Sequence, residues 1–132
     1  MTESFPLEEQ CVVSKYISNP ILIDGRKFDL WIYVLVTSFD PLRIYMFKDG
    51  LVRFASEWYT NDFDNWFSHL TNYSLNKKND KPIDENELKW PFKDLTKALE
   101  EVGVNMDILW SNIYDVIIKS IISVDHLIFS QT

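Results

Sequence analysis

Asp24, Arg26, Lys27 and Asp29 stand together just ahead of an apolar stretch that begins at Phe28. Binding sites are often built at the ends of buried strands, and a lysine there can hold a phosphate as a point charge. The same residues also make an ordinary solvated turn with an ion pair, and residue types alone leave both readings open. His69, Thr71, Asn72 and Tyr73 form a second polar cluster. The other histidine is His126, so a histidine-based metal site has too few ligands, and a packed, hydrogen-bonded imidazole is the simpler expectation for His69. Arg53 alternates with Val52 and Phe54, which puts it on the opposite face of any strand they share; surface charge is the ordinary role of such an arginine. Lys77, Lys78 and Lys81 read as a weak basic patch on a solvated loop. Ser14 has no nearby base and is a poor nucleophile. No catalytic group and no metal-ligand set is assigned.

The elements that must position these residues can be read from pattern. Cys11 to Ile17 and Ile21 to Ile23 read as short extended pieces broken at Asn19-Pro20, and Asp24-Gly25 is a turn signal. Phe28 to Ser38 is rich in β-branched and aromatic residues on both faces, which predicts a central strand. Turns at Asp40-Pro41 and Asp49-Gly50 then separate Leu42 to Phe47 from Leu51 to Ala55, giving a three-stranded antiparallel meander. Glu57 to Ser68 is aromatic without period and is expected to wrap the sheet irregularly, and Asn76 to Lys89 is expected to be an exposed loop. Pro91 opens a helix with Phe92, Leu95, Leu99 and Val102 on one face, and Gly103 stops it. Asn105 caps a second helix whose stripe of Met106, Leu109, Ile113, Ile117, Ile121 and Val124 is broadened by Trp110, Tyr114, Val116 and Ile118, wide enough for burial on two sides. The fold class is α+β.

Composition narrows the function. With 46% apolar and 15% aromatic residues in 132, the chain is expected to fold as one domain or part of one. A net charge of −7 argues against nucleic acid as a partner, which calls for clustered Lys and Arg, and the same charge would repel an anionic membrane or an acidic protein tail. The single cysteine, Cys11, fits a reducing compartment and a cytoplasmic location. Three glycines leave no glycine-rich phosphate loop, so a nucleotide would be held by other means. No signal sequence is visible in the acidic stretch Met1 to Gln10.

Ser14 to Leu30, then Ile32 to Ser38 with Asp40-Pro41-Leu42, then Gly50 to Ala55, resemble in order and spacing the adenine-hinge segment and following strands of tubulin tyrosine ligase-like enzymes. His69 to Lys78 is similar to that family's most recognisable motif, and Lys89-Trp90, Gly103-Val104-Asn105 and Ile117 to Ser123 are similar to its glutamylase branch. The resemblance implies part of an ATP-grasp fold: a lead-in at 1–10, a partial catalytic domain at 11–124 and a tail at 125–132. It implies that Ser14, Lys15, Tyr16 and Ile17 line adenine, that Lys27, Phe28 and Asp29 lie against the nucleotide with Lys27 facing phosphate, and that Thr71 and Asn72 also contact it. Arg53, Tyr73, Ser74 and Lys89 match positions that hold the amino-acid substrate, where the arginine fork suits a carboxylate. The implied reaction uses ATP and Mg²⁺ to phosphorylate a glutamate side chain as an acyl phosphate, which the amine of free glutamate displaces to form an isopeptide bond. The implied partners are tubulin or other proteins with acidic, glutamate-rich tails, at the cytoskeleton and, within it, the cilium or basal body.

Two departures qualify this. Trp31 stands where the family carries arginine, and indole cannot offer charge or a bidentate fork to a phosphate. The family's Phe-Asp strand and Glu-x-Asn motif, which bind Mg²⁺, and its N-terminal nucleotide lobe are expected outside these 132 residues. The chain alone is therefore expected to be inactive. The alternative is a catalytically dead ligase-like module that binds acidic tails through Lys77 to Lys81 and Trp58 to Phe67.

Overall fold

The computed structural model describes residues 12–80 and 84–129, with side chains throughout except at 85 and 125–129. Cys11, Lys81, the lead-in at 1–10, the end of the tail at 130–132 and the His126 side chain therefore lie outside the described set. The elements run β1 (Phe28–Phe39), β2 (Leu42–Phe54), α1 (Trp66–His69), α2 (Tyr73–Asn76), α3 (Glu85–Leu88), β3 (Lys89–Pro91), α4 (Phe92–Glu101) and α5 (Met106–Phe129). One antiparallel sheet in the order β1-β2-β3 is followed by two helices, the expected α+β arrangement.

Asp24-Gly25 is the turn its residue types dictate. Both residues have positive φ, 50° and 70°, and Ile23 and Arg26 exchange backbone hydrogen bonds of 3.1 and 2.9 Å across them. This short hairpin delivers the chain into β1.

Asp49-Gly50 is no turn. Leu42–Phe54 is one continuous strand, and the pairing of Ile32 with Gly50 and then Val34 with Met46 sets Phe47, Lys48 and Asp49 opposite Tyr33 alone. The turn chemistry is spent on a bulge. It aims the Asp49 carboxylate at the amides of Gly50 and Phe92, at 2.8 and 3.2 Å, so that it caps the start of α4. Gly50 is glycine because the Phe92 ring and the Trp31 carbonyl oxygen close over it, and an added Cβ would also lie 2.8 Å from Phe92 Cε1. Replacement of Gly50 by alanine is expected to cost about 3 kcal/mol, the upper end of an overpacking penalty, read as a lower denaturant midpoint with unchanged slope.

The sheet has two unlike faces because side chains alternate along each strand. Phe28, Leu30 and Ile32 of β1, Val52 and Phe54 of β2 and Trp90 of β3 turn toward α4, whose Phe92, Leu95 and Leu99 complete the core with Ile23. Lys27, Asp29, Trp31, Arg53 and Lys89 alternate with that set and occupy the other face.

β1 was expected in the centre, yet among the described residues it is an edge, with β2 central. Its distal half leaves Tyr33 and Leu35 exposed, as β2 leaves Tyr45 and Phe47. Asn76 to Lys89 is not simply an exposed loop: Asn76 and Leu88 are buried, and Asp84 accepts from the Asn86 amide to start α3. The two later helices begin as read, but Val102 lies beyond α4 and is exposed, and α5 continues past Val124 to Phe129. Gly103 has φ +83° just beyond α4, and the Asn105 side chain accepts from the Ile108 amide at 3.0 Å. Met106, Leu109 and Trp110 of α5 pack on the core, but Tyr114, Val116, Ile118 and Val124 farther along it are exposed, so burial on two sides is not reached here. Among the described residues no helix is long and apolar enough to cross a membrane.

Candidate functional site

The four charged residues at the mouth of β1 divide. Arg26 lies over the Phe54 ring, 5.2 Å from its centroid, and reaches Glu87 at 4.0 Å; with Asp24 it faces a hollow shared with Glu57 and Trp58. Lys27 and Asp29 belong to the other side.

Ser14, Lys15, Tyr16 and Ile17 line one open cavity of about 600 Å³ together with Lys27 and Phe28. Six of the nine positions expected around a nucleotide are thus brought together, in a volume typical of small-molecule sites. Phe28 also packs against the core, its ring 5.8 Å from that of Phe54. Lys27 Nζ donates to the Tyr16 hydroxyl at 3.2 Å and rides 4.7 Å from the centre of its ring. A lysine held this way presents one compact positive charge at the cavity wall, which suits a phosphate.

His69 anchors that wall. It is buried, its Nε2 lies 2.9 Å from the Asp62 carbonyl and its Nδ1 2.7 Å from the Tyr16 hydroxyl. A carbonyl can only accept, so Nε2 carries the proton toward Asp62. The Tyr16 oxygen, which accepts from Lys27, meets the remaining imidazole nitrogen, Nδ1. Phe63 stacks on the imidazole at 5.2 Å, and Tyr59 meets it edge-on at 5.1 Å. Tyr59 in turn donates to the Ser18 carbonyl at 3.0 Å, and desolvation, followed by the nearby Tyr16 hydroxyl, raises its pKa above the ordinary tyrosine value. The imidazole is the packed, hydrogen-bonded group its sequence context predicts.

Farther along the same sheet face, three strands place Asp29, Arg53 and Lys89 side by side in register. Arg53 Nε donates to Asp29 Oδ1 at 2.9 Å while its Nη2 donates to Oδ2, a fork-to-fork pair. Thr71, buried, donates its hydroxyl to the same Oδ2 at 2.9 Å. The Asp29 bond raises the already high pKa of Arg53 against a smaller opposing cost of burial, so the guanidinium stays charged well beyond neutrality. Asp29 and Thr71 thus hold Arg53 in place. Lys89 Nζ lies 3.5 Å from the centre of the Tyr73 ring, a close cation–π contact. Asn72 and Ser74 flank Tyr73 and are exposed. Among the described residues no three His, Cys, Asp or Glu side chains gather as a metal site.

One residue that positions this site escapes a reading from sequence. Asn76 is almost fully buried; its oxygen accepts from the Ser56 amide at 2.8 Å, and its nitrogen donates to the carbonyls of Leu70 and Asn72 at 2.8 and 3.0 Å. It ties the segment carrying Thr71 and Tyr73 to the end of β2. The available signal was its spacing of one helical turn from Asn72. Replacement of Asn76 by leucine is expected to cost about 3 kcal/mol, because it orphans the Ser56 amide and the Leu70 carbonyl, measurable by chemical denaturation.

A sequence profile of the tubulin-tyrosine ligase family matches residues 3–132. The chain belongs to that family. It is 50% identical over 127 residues to the tubulin monoglutamylase TTLL4 of Mus musculus, an alignment that covers 89% of this chain and 11% of the relative. It is 43% identical over 129 residues to the tubulin polyglutamylase TTLL5 of Mus musculus, covering 90% and 10%. It is 44% identical over 134 residues to the probable alpha-tubulin polyglutamylase Ttll1 of Tetrahymena thermophila, covering 98% and 32%. The chain thus spans from about a tenth to a third of the length of these family members. Ligases of the tubulin-tyrosine ligase family are ATP-dependent and ATP-grasp-like, in keeping with the mixed antiparallel sheet and helices seen here.

Proposed function

We propose that this chain is part of an ATP-dependent glutamylase that joins free glutamate to glutamate side chains of tubulin, or of another protein with an acidic tail. The observation that carries the proposal is the single sheet face on which Lys27, Asp29, Arg53 and Lys89 stand, with the Ser14 to Ile17 cavity at one end and Tyr73 at the other.

ATP, when bound, supplies the phosphoryl group that turns a carboxylate into an acylating agent. The cavity fits its adenine and ribose in size, and Lys27 fits a phosphate in charge. Arg53 and Lys89 hold the carboxylate of the incoming glutamate, Arg53 through the guanidinium nitrogen that Asp29 does not use. Tyr73 and Ser74 border that ligand. Holding the amino acid on two fixed cations leaves its amine to attack, so the chain's own contribution is orientation and charge. Ligands for Mg²⁺ are assigned to no residue of this chain. The acidic tail of the acceptor would meet Lys77 and Lys78 rather than the chain's negative remainder, and the expected setting is the cytoplasmic cytoskeleton and its cilia.

A second reading, a ligase-like module without catalysis, is favoured by one observation: the position expected to carry arginine is Trp31, and Arg53 lies on its ring instead of facing another cation.

The proposed binding face is tested by titrating the chain with glutamate while following its backbone and side-chain NMR signals. Shifts at Arg53, Lys89, Tyr73 and Ser74 that saturate together are expected. Saturable shifts confined to the broader hollow of about 810 Å³ between β2, α4 and α5, lined by Ile44, Trp110 and Tyr114, would overturn it.

A further inference from the structure

Arg53 is fixed in two ways that do different work. The Asp29 fork aligns one edge of the guanidinium, but a planar group held by two parallel hydrogen bonds can still hinge about that edge. The indole of Trp31 removes the hinge. The guanidinium carbon sits 4.3 Å from the ring centre, within cation–π range, so the plane as well as the edge is set. Register explains why Trp31 can reach: Asp29 faces Arg53 directly across β1 and β2, and Trp31, two residues on, is the diagonal neighbour on the same face. The side chain of Arg53 is only 14% exposed while Trp31 is 46% exposed, so the ring forms the outer wall of the stack. Lys89 is bedded in the same manner on Tyr73.

We propose that Trp31 is a positioning residue for Arg53: its ring face fixes the tilt of the guanidinium and thereby directs the one nitrogen left free by Asp29 toward the ligand carboxylate. This rests on the reading of Arg53 as part of a glutamate site. A cation at position 31 would repel Arg53, and an aliphatic side chain would leave it free to hinge, so the residue type at 31 tunes affinity for the amino acid without touching it.

The test uses the whole chain with Trp31→Phe, Trp31→Leu and Trp31→Gln, reading the Arg53 Nε–H signal by NMR and the affinity for glutamate. The phenylalanine variant is expected to keep the ring-shifted, slowly exchanging Arg53 signal and to bind within about twofold of the original chain. The leucine and glutamine variants are expected to lose the ring shift, to exchange faster and to bind glutamate about fivefold more weakly, the scale of an exposed cation–π contact. Unaltered signals from Val52 and Leu95 in each variant report an intact fold; glutamine, being polar, serves should leucine disturb it. An unchanged Arg53 signal and affinity in the variants without a ring overturns the positioning role. Absence of glutamate binding in the original chain, with the ring-shifted signal present, overturns the glutamate reading of the site and not the stack.

Discussion

Replacing Arg53 by alanine is expected to weaken glutamate binding by about 100-fold. The guanidinium is gripped by Asp29, and in the proposed site it also takes the carboxylate of the ligand. A charge-assisted bond of this kind, removed so that its partner is left unpaired, costs on the order of 3 kcal/mol. Lysine in its place keeps the charge but has neither the fork that Asp29 grips nor the plane that Trp31 supports, so Arg53→Lys is expected to lose about tenfold rather than recover fully. Calorimetric titration of the three chains checks the order. The pH dependence has a definite sign: a group whose folded pKa is raised stabilises below its unfolded pKa and loses that contribution only as pH climbs through the raised value. For an arginine that window lies far above neutrality, so the Arg53 contribution to binding is expected to be flat from mildly acidic to mildly alkaline pH.

The second large effect concerns Trp31. If residues 12–124 replace the matching segment of the mouse tubulin monoglutamylase, the chimera is expected to turn over slowly, and Trp31→Arg is expected to raise its kcat by about 100-fold. The scale is that of restoring one preorganised charged donor to a transition state that develops charge on transferring oxygens. The same substitution removes the ring from beneath Arg53 and brings a second guanidinium near it, so KM for glutamate is expected to rise several-fold while kcat rises. A rise in KM alongside the rise in kcat distinguishes this account from a general repair of folding, which would leave KM in place. An unchanged kcat would mean that position 31 does not limit the chemistry.

What was legible in the sequence was local. The Asp24-Gly25 turn, the Gly103 stop and the Asn105 cap depend on conformations that a few adjacent residues fix among themselves, and the alternation of Val52, Arg53 and Phe54 assigns faces without knowledge of any neighbour. Asp49-Gly50 misled because the same residue types serve a turn and a bulge; the choice falls to the Phe92 ring, more than forty residues away, which packs where a glycine Cβ would be. β3 was missed because three residues carry too little alternation to register as a strand, and its pairing with β2 is what sets Lys89 beside Arg53.

The site followed the same division. Its residue types were nameable, and the cavity lined by Ser14 to Ile17, Lys27 and Phe28 gathers residues that the family resemblance had already grouped. Their partners were not nameable. Tyr16 with His69, Asp29 with Thr71 and Arg53, and Asn76 with Ser56 are contacts across 53, 42, 24 and 20 residues, created by strand register and loop packing rather than by spacing. Trp31 could be seen as a missing charge, but its role as the bed for Arg53 exists only once β1 and β2 are paired.

The central claim, that this face belongs to an ATP-dependent glutamate ligase, meets its most direct test in the chimera with the mouse monoglutamylase, by measuring incorporation of labelled glutamate into tubulin. The account predicts slow incorporation that requires ATP, increases with Trp31→Arg and disappears with Arg53→Ala. A folded chimera that incorporates no glutamate even with Trp31→Arg, or one whose incorporation survives Arg53→Ala, would contradict it.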